Sequence, residues 1–446
     1  MTWANKRYGR NRVKGEIMMK AKATIILFCV LPLGVTLGNA QELSLTQAPK
    51  FAHYTVEDLG TLGGASSLAF GINRSHQVGG FSQAASGNLN AFVWRDGYMV
   101  DLGTLGGPNS IVAGPADAGD QWALFSDTSI TDPLGEDFCG FGTYLVCQAA
   151  LWDGTMWPLP TLGGNNAEAF TANTRGEVVG AAENDTVDPS CPSPKILDFE
   201  AVMWGPDLGR AHELRPLPGD TVGFALGLND LGQAVGSSGT CANTTSNSVT
   251  GLISGPHAVL WQDGSPTNLG TLGGVLVGVG AAINNRGEVV GASDLTGDTE
   301  AHSFLWTKKT GMQDLGVLGT DPSNFAGWIN NKGQIVGWSC DSSGDCRAYL
   351  WQSQEMVDLN SLIPADSPLY LILAFGINDD GEIVGQAVDI STGDLHAFLA
   401  RPVSHEETSR SFGPSATSEA TPRTSPENVR VLLRQHLPVR TGTLEP

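Results

Sequence analysis

Paired aspartates in three strand-connecting loops are the first candidates for chemistry in this sequence. The loops read D-L-T-G-D from Asp294 to Asp298, D-S-S-G-D from Asp341 to Asp345 and D-I-S-T-G-D from Asp389 to Asp394. Carboxylates around a glycine turn could hold calcium, which prefers oxygen ligands. The spacing is looser than the Asp-x-Asp-x-Asp-Gly pattern of strong calcium loops, so a plain hairpin turn is the favoured alternative. We take Asp294, Asp298, Asp389 and Asp394 as candidate calcium ligands in exposed loops.

A polar residue recurs at a second position, where the sequence predicts the start of the third strand of a repeated segment. The residues there are Asn90, Gln148, Glu200, His257, His302, Arg347 and His396. The histidines could serve as ligands or bases. Because neutral imidazole both donates and accepts, a hydrogen bond that ties neighbouring strands or repeats is the favoured interpretation.

Motifs of common enzymes are missing from the sequence, so no catalytic or cofactor-binding residue is assigned. It has no Gly-x-Ser-x-Gly and no His-Glu-x-x-His. Its Gly-Gly pairs lack the Lys-Ser/Thr of a phosphate loop. Arg74, Arg175 and Arg286 fall in predicted turns away from the long loops, unlike the arginine cluster of a sialidase-like site. A glycosidase needs only two carboxylates ~5–10 Å apart, and that alternative stays open.

Six cysteines follow the N-terminal segment, and an even number in an exported chain predicts disulfides. None forms a Cys-x-x-Cys pair, which argues against zinc or thioredoxin-like chemistry. Cys139–Cys147 and Cys340–Cys346 would each close a short loop between a second and a third strand. Cys191 and Cys241 lie in the equivalent loops of adjacent repeats, so we expect them to cross-link two repeats.

Seven imperfect copies of one segment position these residues, from Asp58 to about Ala400. One asparagine marks each copy, with Ala116 in the degraded second copy: Asn73, Asn173, Asn229, Asn284, Asn330 and Asn378. A period of roughly 40–50 residues with several short strands is typical of a propeller-type array.

One copy, residues 281–316, predicts four antiparallel strands. The first strand is an extended run, which ends at a turn at Asn285-Arg-Gly. The other three strands are an alternating β-branched run, His302–Trp306 and Met312–Leu315. A tryptophan ends the third strand in six copies, and packing between blades is the favoured interpretation over a ligand-binding ring. The tryptophans are Trp94, Trp152, Trp204, Trp261, Trp306 and Trp351.

The ends of the array predict how it closes. The last copy stops after its third strand, His396–Leu399, and Tyr54–Gly60 matches the fourth strand Tyr98–Gly103. We therefore predict an all-β chain, a seven-bladed β-propeller of four-stranded antiparallel blades. Its N-terminal strand would complete the last blade and remove exposed sheet edges.

Three recurring elements resemble the bacterial extracellular HAF-repeat family. They are Asp-Leu-Gly-Thr-Leu-Gly-Gly, Ile-Asn-x-x-Gly-x-Val-Val-Gly and His-Ala-Phe-Leu-Trp, and the tripeptide His-Ala-Phe itself begins at His396. The resemblance covers about 340 residues. It implies an exported or surface-exposed bacterial protein, and no catalytic residue is carried over with it.

Composition divides the chain into three parts. Residues 1–40 have seven basic residues before the apolar run Ala23–Gly38, which predicts a signal peptide cleaved after Ala40. The alternative, a membrane anchor, is less favoured because the run has 16 residues and contains Pro32. The propeller spans residues 41–400, and residues 401–446 have the composition of a disordered tail.

Charge limits the partners. Residues 41–400 contain 12 Lys plus Arg and 40 Asp plus Glu, so their formal net charge is −28. Such a body repels nucleic acid and anionic lipid. We expect an exported monomer with no membrane span after signal cleavage, located outside the cell, on its surface or in the periplasm.

The variable loops between the second and third strands decide the functional hypothesis. Binding residues usually lie in loops whose sequence and length vary while the strands around them stay the same. We expect a binding module for a protein or a glycan on this loop face. The alternative is a carbohydrate-active hydrolase or lyase with two carboxylates there, and a structural surface component is a third hypothesis.

Overall fold

The computed structural model describes residues 51–114, 121–247 and 252–403. The chain is all-β, with 57% strand and 2% helix. In the described ranges, no helix has the length and apolar character needed to cross a membrane. The predicted signal peptide, most of the predicted tail and Ala116 lie outside these ranges.

Strands follow the sequence repeats, with four main strands in each of repeats 1 to 6 and three in repeat 7. β1 (Tyr54–Asp58) precedes repeat 1, which forms β2 (Gly63–Ile72), β3 (Val78–Ala84), β4 (Leu89–Arg95) and β5 (Tyr98–Asp101). Repeat 2 forms β6 (Gly106–Val112), β7 (Trp122–Thr131), β8 (Leu145–Trp152) and β9 (Met156–Pro158). Repeat 3 forms β10 (Ala167–Ala172), β11 (Val178–Val187), β12 (Leu197–Trp204) and β13 (Ala211–Leu214).

Repeat 4 carries an insertion in its loop between strands two and three. It forms β14 (Val222–Leu228), β15 (Ala234–Gly239), a 3₁₀ turn η1 (Cys241–Asn243), the hairpin β16 (Thr245–Asn247) and β17 (Leu252–Ser254), then β18 (His257–Gln262) and β19 (Ser265–Asn268). Repeat 5 forms β20 (Gly273–Ile283), β21 (Val289–Leu295), β22 (Ala301–Thr307) and β23 (Gly311–Asp314).

Repeats 6 and 7 complete the described chain. Repeat 6 forms β24 (Ser323–Ile329), β25 (Ile335–Cys340), β26 (Cys346–Gln352) and β27 (Glu355–Asp358), followed by a 3₁₀ turn η2 (Leu359–Ser361). Repeat 7 forms β28 (Leu369–Ile377), β29 (Ile383–Asp389) and β30 (Leu395–Pro402). The last strand runs two residues past the predicted boundary at residue 400, because Arg401 and Pro402 pair with Thr55 and Tyr54.

Repeats 2 to 6 each form an antiparallel four-stranded sheet, as the single-copy pattern predicts. β1 pairs with β30 in antiparallel register, from Tyr54 opposite Pro402 to Asp58 opposite Phe398. Repeats 1 and 7 belong to one eight-stranded sheet through a single parallel bridge between Ser66 and Leu395. Backbone pairing therefore connects the first strand of the fold to its last strand.

The repeated asparagine explains the turn between the first and second strands. In repeat 5, Asn284 Oδ1 accepts hydrogen bonds from the backbone N–H groups of Arg286 (3.0 Å) and Glu288 (3.1 Å). Gly287 closes the same turn with φ of +74°, a conformation that favours glycine. The Asn-x-x-Gly spacing is therefore a local requirement of this turn.

The same asparagines also join one repeat to the next. The Asn284 Nδ2 donates to the backbone carbonyl of Asn330 at 3.1 Å, and Asn378 donates to the carbonyl of Asn73 at 3.5 Å. The equivalent links run from Asn173 to Asn229, from Asn229 to Asn284 and from Asn330 to Asn378. Each is buried, so each supplies a hydrogen bond that water does not replace.

The tryptophan row packs between neighbouring sheets. Trp94, Trp204 and Trp261 are buried, whereas Trp152, Trp306 and Trp351 are half-buried against the same kind of core. The Trp204 indole also donates to the carbonyl of Pro160 at 2.7 Å, in the segment that leads into its own repeat. These contacts agree with the packing interpretation.

Candidate functional site

The predicted calcium pair of repeat 5 is engaged with backbone amides. Asp294 Oδ2 accepts from the N–H of Val277 and Asp298 Oδ1 accepts from the N–H of Val275, both at 2.7 Å. Asp294 is 5% exposed, so the expectation of an exposed loop carboxylate was wrong for this residue. Its position at the end of β21, against β20, buries it, and burial raises its pKa.

The pair in repeat 7 shapes a hairpin. Asp389 Oδ1 accepts from the Ser391 N–H at 2.7 Å and from the Ser391 hydroxyl at 2.6 Å, which lowers the Asp389 pKa. The Asp394 carbonyl accepts from the Asp389 N–H at 3.0 Å. Both pairs thus have local hydrogen-bonding roles, and calcium binding stays a prediction.

One group in the described ranges brings together three side chains of metal-ligating type: Asp188, Cys191 and Cys241. The two sulfurs are bonded to each other, so they are not thiolate ligands. None of the four candidate calcium aspartates belongs to a group of three such side chains in this part of the chain.

All three predicted cysteine pairs lie at disulfide distance. The S–S separations are 1.82 Å for Cys139–Cys147, 1.98 Å for Cys191–Cys241 and 1.96 Å for Cys340–Cys346. The first and third pairs each close one loop between strands two and three. The second joins the loop between β11 and β12 to η1, and so connects repeats 3 and 4.

Polar residues that open the third strand mostly tie it to a neighbour. His302 Nδ1 lies 2.9 Å from Asp314 Oδ2, and His396 Nδ1 lies 2.8 Å from Asp58 Oδ2. The remaining pairs are Asn90 with Asp101, Gln148 with the Leu159 carbonyl, His257 with Asp220 and Arg347 with Asp321. These contacts confirm the structural interpretation for six of the seven positions.

Glu200 departs from that pattern. It is 9% exposed, and its Oε2 has no hydrogen-bond partner among the described residues. Burial is the largest cause that raises the Glu200 pKa to about 8, and the charges of Glu213 and Asp198 add to it. Asp198 has a pKa raised to about 6, by burial and by its hydrogen bond with Asp188.

The sequence did not reveal the buried polar network that joins repeats 2 and 3. Asp132 Oδ2 accepts from Asn166 Nδ2 at 3.0 Å, and Glu183 Oε2 accepts from the same nitrogen at 3.0 Å. Glu136 Oε1 accepts from the backbone N–H groups of Ile196 and Leu197. The loop of repeat 2 is therefore bonded to the loop of repeat 3.

Lys195 interacts electrostatically with acids of this network. The residue is half-buried, but its Nζ atom is shielded from solvent and has no hydrogen-bond partner in the described chain. Burial lowers the Lys195 pKa, and the charges of Glu168, Glu183 and Glu136 oppose that change. Burial and the charge of Glu136 raise the Glu183 pKa to about 8.

An opening of about 620 Å³ lies beside the network, between repeats 2 and 3. One wall comes from β7, β8 and their loop, including Ile130, Thr131 and Val146. The other comes from the segment that precedes β10, including Thr161 and Asn165. All ten described residues that line it are uncharged.

A second cavity lies at the turns between first and second strands. Its volume is about 60 Å³, and its lining includes Arg74, Asn284, Asn330 and Asn378. That space suits a few water molecules at most. The asparagines there bond to neighbouring repeats and so have a structural role.

No family model and no curated protein matches the chain. Solved structures with a similar fold include an acylaminoacyl peptidase from Pyrococcus horikoshii, at 13% identity, TM-score 0.42, and coverage of 80% of this chain and 53% of that one. The chain thus spans about half the length of that peptidase.

Two further neighbours are covered almost entirely. An oligogalacturonate lyase in complex with manganese has 12% identity, TM-score 0.44, and coverage of 78% of this chain and 93% of that one. A gluconolactonase, XC5397 from Xanthomonas campestris, has 10% identity, TM-score 0.32, and coverage of 79% and 96%.

The opening combines the recurring Thr161–Gly164 element with residues of repeat 2 such as Ile130 and Pro133, and the network adds Lys195 in the loop of repeat 3. One sequence signal did exist: Lys195 is the only lysine between Lys50 and Lys308. A single lysine inside a strongly acidic repeat array marks a position where the repeat pattern does not explain the residue.

Proposed function

We propose that this chain is an exported, closed seven-bladed β-propeller of the HAF-repeat type that binds a protein or a glycan on its strand 2–3 loops. The seven sets of four strands, the pairing of β1 with β30 and the asparagine link from repeat 7 to repeat 1 support the ring. The disulfides support an oxidising, exported environment.

The opening between repeats 2 and 3 carries the binding proposal. It is a wide depression of about 620 Å³ that is open to solvent, which leaves room for part of a larger ligand such as a glycan or a peptide. Its walls combine apolar side chains such as Ile130 and Val146 with the hydroxyl or amide groups of Thr131, Gln148 and Asn165. Uncharged hydrogen-bonding groups on an apolar surface suit sugar hydroxyls or a peptide backbone better than a charged ligand.

A matched pair of substitutions tests the location. Ile130 is 61% exposed at the opening, and Leu231 is 62% exposed in a turn between first and second strands of repeat 4. The ligand is first identified by probing glycan and peptide arrays with the purified protein. We expect Ile130→Asp to weaken binding at least ~10-fold, because it places a charge in an uncharged pocket.

Leu231→Asp is the control. Both changes affect exposed side chains, so both should alter the free energy of unfolding by no more than about 0.5 kcal/mol. Calorimetric titration of the array ligand measures the two affinities. Equal affinities in the two variants, or no ligand on either array, would contradict a binding site at this opening.

The carbohydrate-active hydrolase or lyase remains the second candidate, because acids with raised pKa values lie in repeat 3. Asp198 and Glu200 belong to β12, and the charge of Asp198 contributes to the raised Glu200 pKa. Neither lines the opening. Release of reducing ends from an oligosaccharide panel, lost in Asp198→Asn and Glu200→Gln, would favour catalysis over binding.

A further inference from the structure

The ammonium group of Lys195 is enclosed by three aromatic rings. Its Nζ lies 4.6 Å from the ring centroid of Phe199, 5.0 Å from that of Phe138 and 5.6 Å from that of Phe224. A cation within about 6 Å of a ring centroid is attracted by the ring's quadrupole. Phe138 comes from repeat 2, Phe199 from repeat 3 and Phe224 from repeat 4, so the rings of three repeats meet at one cation.

Three buried acidic side chains interact electrostatically with this ammonium group. Glu136, Glu168 and Glu183 are each 0% exposed, and each attracts the Lys195 charge. Glu136 Oε2 and Glu183 Oε1 are buried without a hydrogen-bond partner in the described chain. Such atoms are normally satisfied in folded proteins, so the nearby positive charge of Lys195 is an interaction that offsets their burial.

The lysine enters this enclosure from the surface. Lys195 as a residue is half-buried, whereas its Nζ is shielded from solvent. Truncating the side chain would therefore leave a narrow path from solvent to the rings and carboxylates. The adjacent backbone is held by Glu136, which accepts from Ile196 and Leu197, and the Cys191–Cys241 bond lies four residues earlier.

We propose that the rings of Phe138, Phe199 and Phe224, with Glu136, Glu168 and Glu183, form a binding site for one primary ammonium group, which the protein fills with its own Lys195. The bound ammonium stabilises the packing of three segments. It holds the loop between β11 and β12 against the loop of repeat 2 and against β10. This site is separate from the opening beside it and does not depend on which ligand the opening binds.

Chemical rescue tests the site. Lys195→Ala removes a three-carbon amine, and n-propylammonium replaces it. We expect the variant to melt at least ~5 °C below wild type, because buried carboxylates lose their cation. Rising n-propylammonium concentration at constant ionic strength should recover at least half of that loss, whereas 1-propanol, a neutral molecule of the same shape, should not. Lys308→Ala, which removes an exposed lysine, should melt like wild type with or without amine.

A second variant keeps the test decisive if Lys195→Ala fails to fold. Lys195→Met preserves the volume but not the charge. Burial raises the pKa of Glu136 and Glu183 in both proteins, whereas the Lys195 charge that interacts with these acids is present in wild type only. The stability deficit of the variant should therefore grow as these acids ionise between about pH 5 and about pH 9. The charge of Asp132 also raises the Glu136 pKa, and Glu168 faces the same ammonium group.

Adding Glu183→Gln to Lys195→Met should reduce the deficit at pH 9, because one buried charge is removed. Equal recovery by 1-propanol and n-propylammonium would overturn the proposal. So would a Lys195→Met protein that melts like wild type from pH 5 to pH 9, since the enclosure would then recognise shape and not charge.

Discussion

At the scale of single residues, the side chain of the repeated asparagine has two structural roles: it closes its own turn, and it bonds to the next repeat. In Asn284 the oxygen accepts from two backbone amides of its own turn, and the nitrogen donates to Asn330 of the next repeat and to Glu288 at 2.7 Å. Asparagine alone supplies one acceptor and one two-hydrogen donor at this length. Its recurrence therefore needs no ligand to explain it.

Asn284→Ala should accordingly lower the free energy of unfolding by about 2–3 kcal/mol, because buried amide and carbonyl groups lose their partner. Chemical denaturation followed by tryptophan fluorescence measures the change. Arg286→Ala in the same turn is the control. Its half-exposed ion pair with Glu288 is a surface interaction, worth about 0–1 kcal/mol. Equal losses in the two variants would refute the double role of the asparagine.

At the scale of strands, histidine and aspartate tie the ends of the fold together. His396 on β30 contacts Asp58 on β1, and the hydrogen bond to Asp58 raises the His396 pKa, with further contributions from Asp394 and Asp389. Burial opposes ionisation of Asp58, but hydrogen bonds from His396 and from the Gly60 N–H lower its pKa overall. The charged pair thus contributes to the pairing of the two strands.

This pair predicts a pH dependence. A histidine whose pKa is raised by folding stabilises the fold fully below its unfolded pKa, 6.5, and loses that contribution as pH rises through its folded pKa. His396→Gln should therefore reduce the melting temperature more at about pH 5.5 than at about pH 9. Thermal melts across this range measure it, with the exposed His212→Gln as control. A difference that does not change with pH would argue against a charged His396.

The strand scale also shows where sequence reasoning works. The short pairs Cys139–Cys147 and Cys340–Cys346 were predictable because each spans one connection between a second and a third strand. Cys191–Cys241 was predictable because equivalent connections of adjacent repeats lie side by side. Four strands per repeat followed from alternating apolar residues and turn residues, which act over a few positions.

There is a physical reason why the sequence did not predict the opening and the Lys195 enclosure. The opening and the Lys195 enclosure combine loop and strand residues of different repeats, and some of the residues that meet there are far apart in the sequence, such as Phe138 and Phe224 around one ammonium. The repeat pattern predicts where such loops leave the strands, but it does not predict how they pack against one another. For the same reason Asp294 was taken as exposed although β20 covers it.

At the scale of the whole molecule, connection between the two ends of the array decides whether the proposed ring is one cooperative unit. Tyr54 on β1 is 1% exposed and packs with residues of repeats 6 and 7. Between repeats 7 and 1, the Ala397 N–H donates to Ser67 Oγ at 2.8 Å, and the Phe70 and Phe375 ring centroids lie 4.9 Å apart. Without β1, the backbone groups of β30 on that side would have no partner.

Deleting residues 51–59 should therefore expose the edge of β30 and bury less apolar surface against repeats 6 and 7, so the protein should melt lower and aggregate. Light scattering during size-exclusion chromatography measures association, and calorimetry measures melting. A synthetic peptide of residues 51–59, added to the truncated protein, should pair with β30 and restore both properties, whereas a peptide of the same composition in scrambled order should not. A truncated protein that stays monomeric and melts like wild type would show that β1 is not needed to hold the array together, and the closed ring would have to be abandoned.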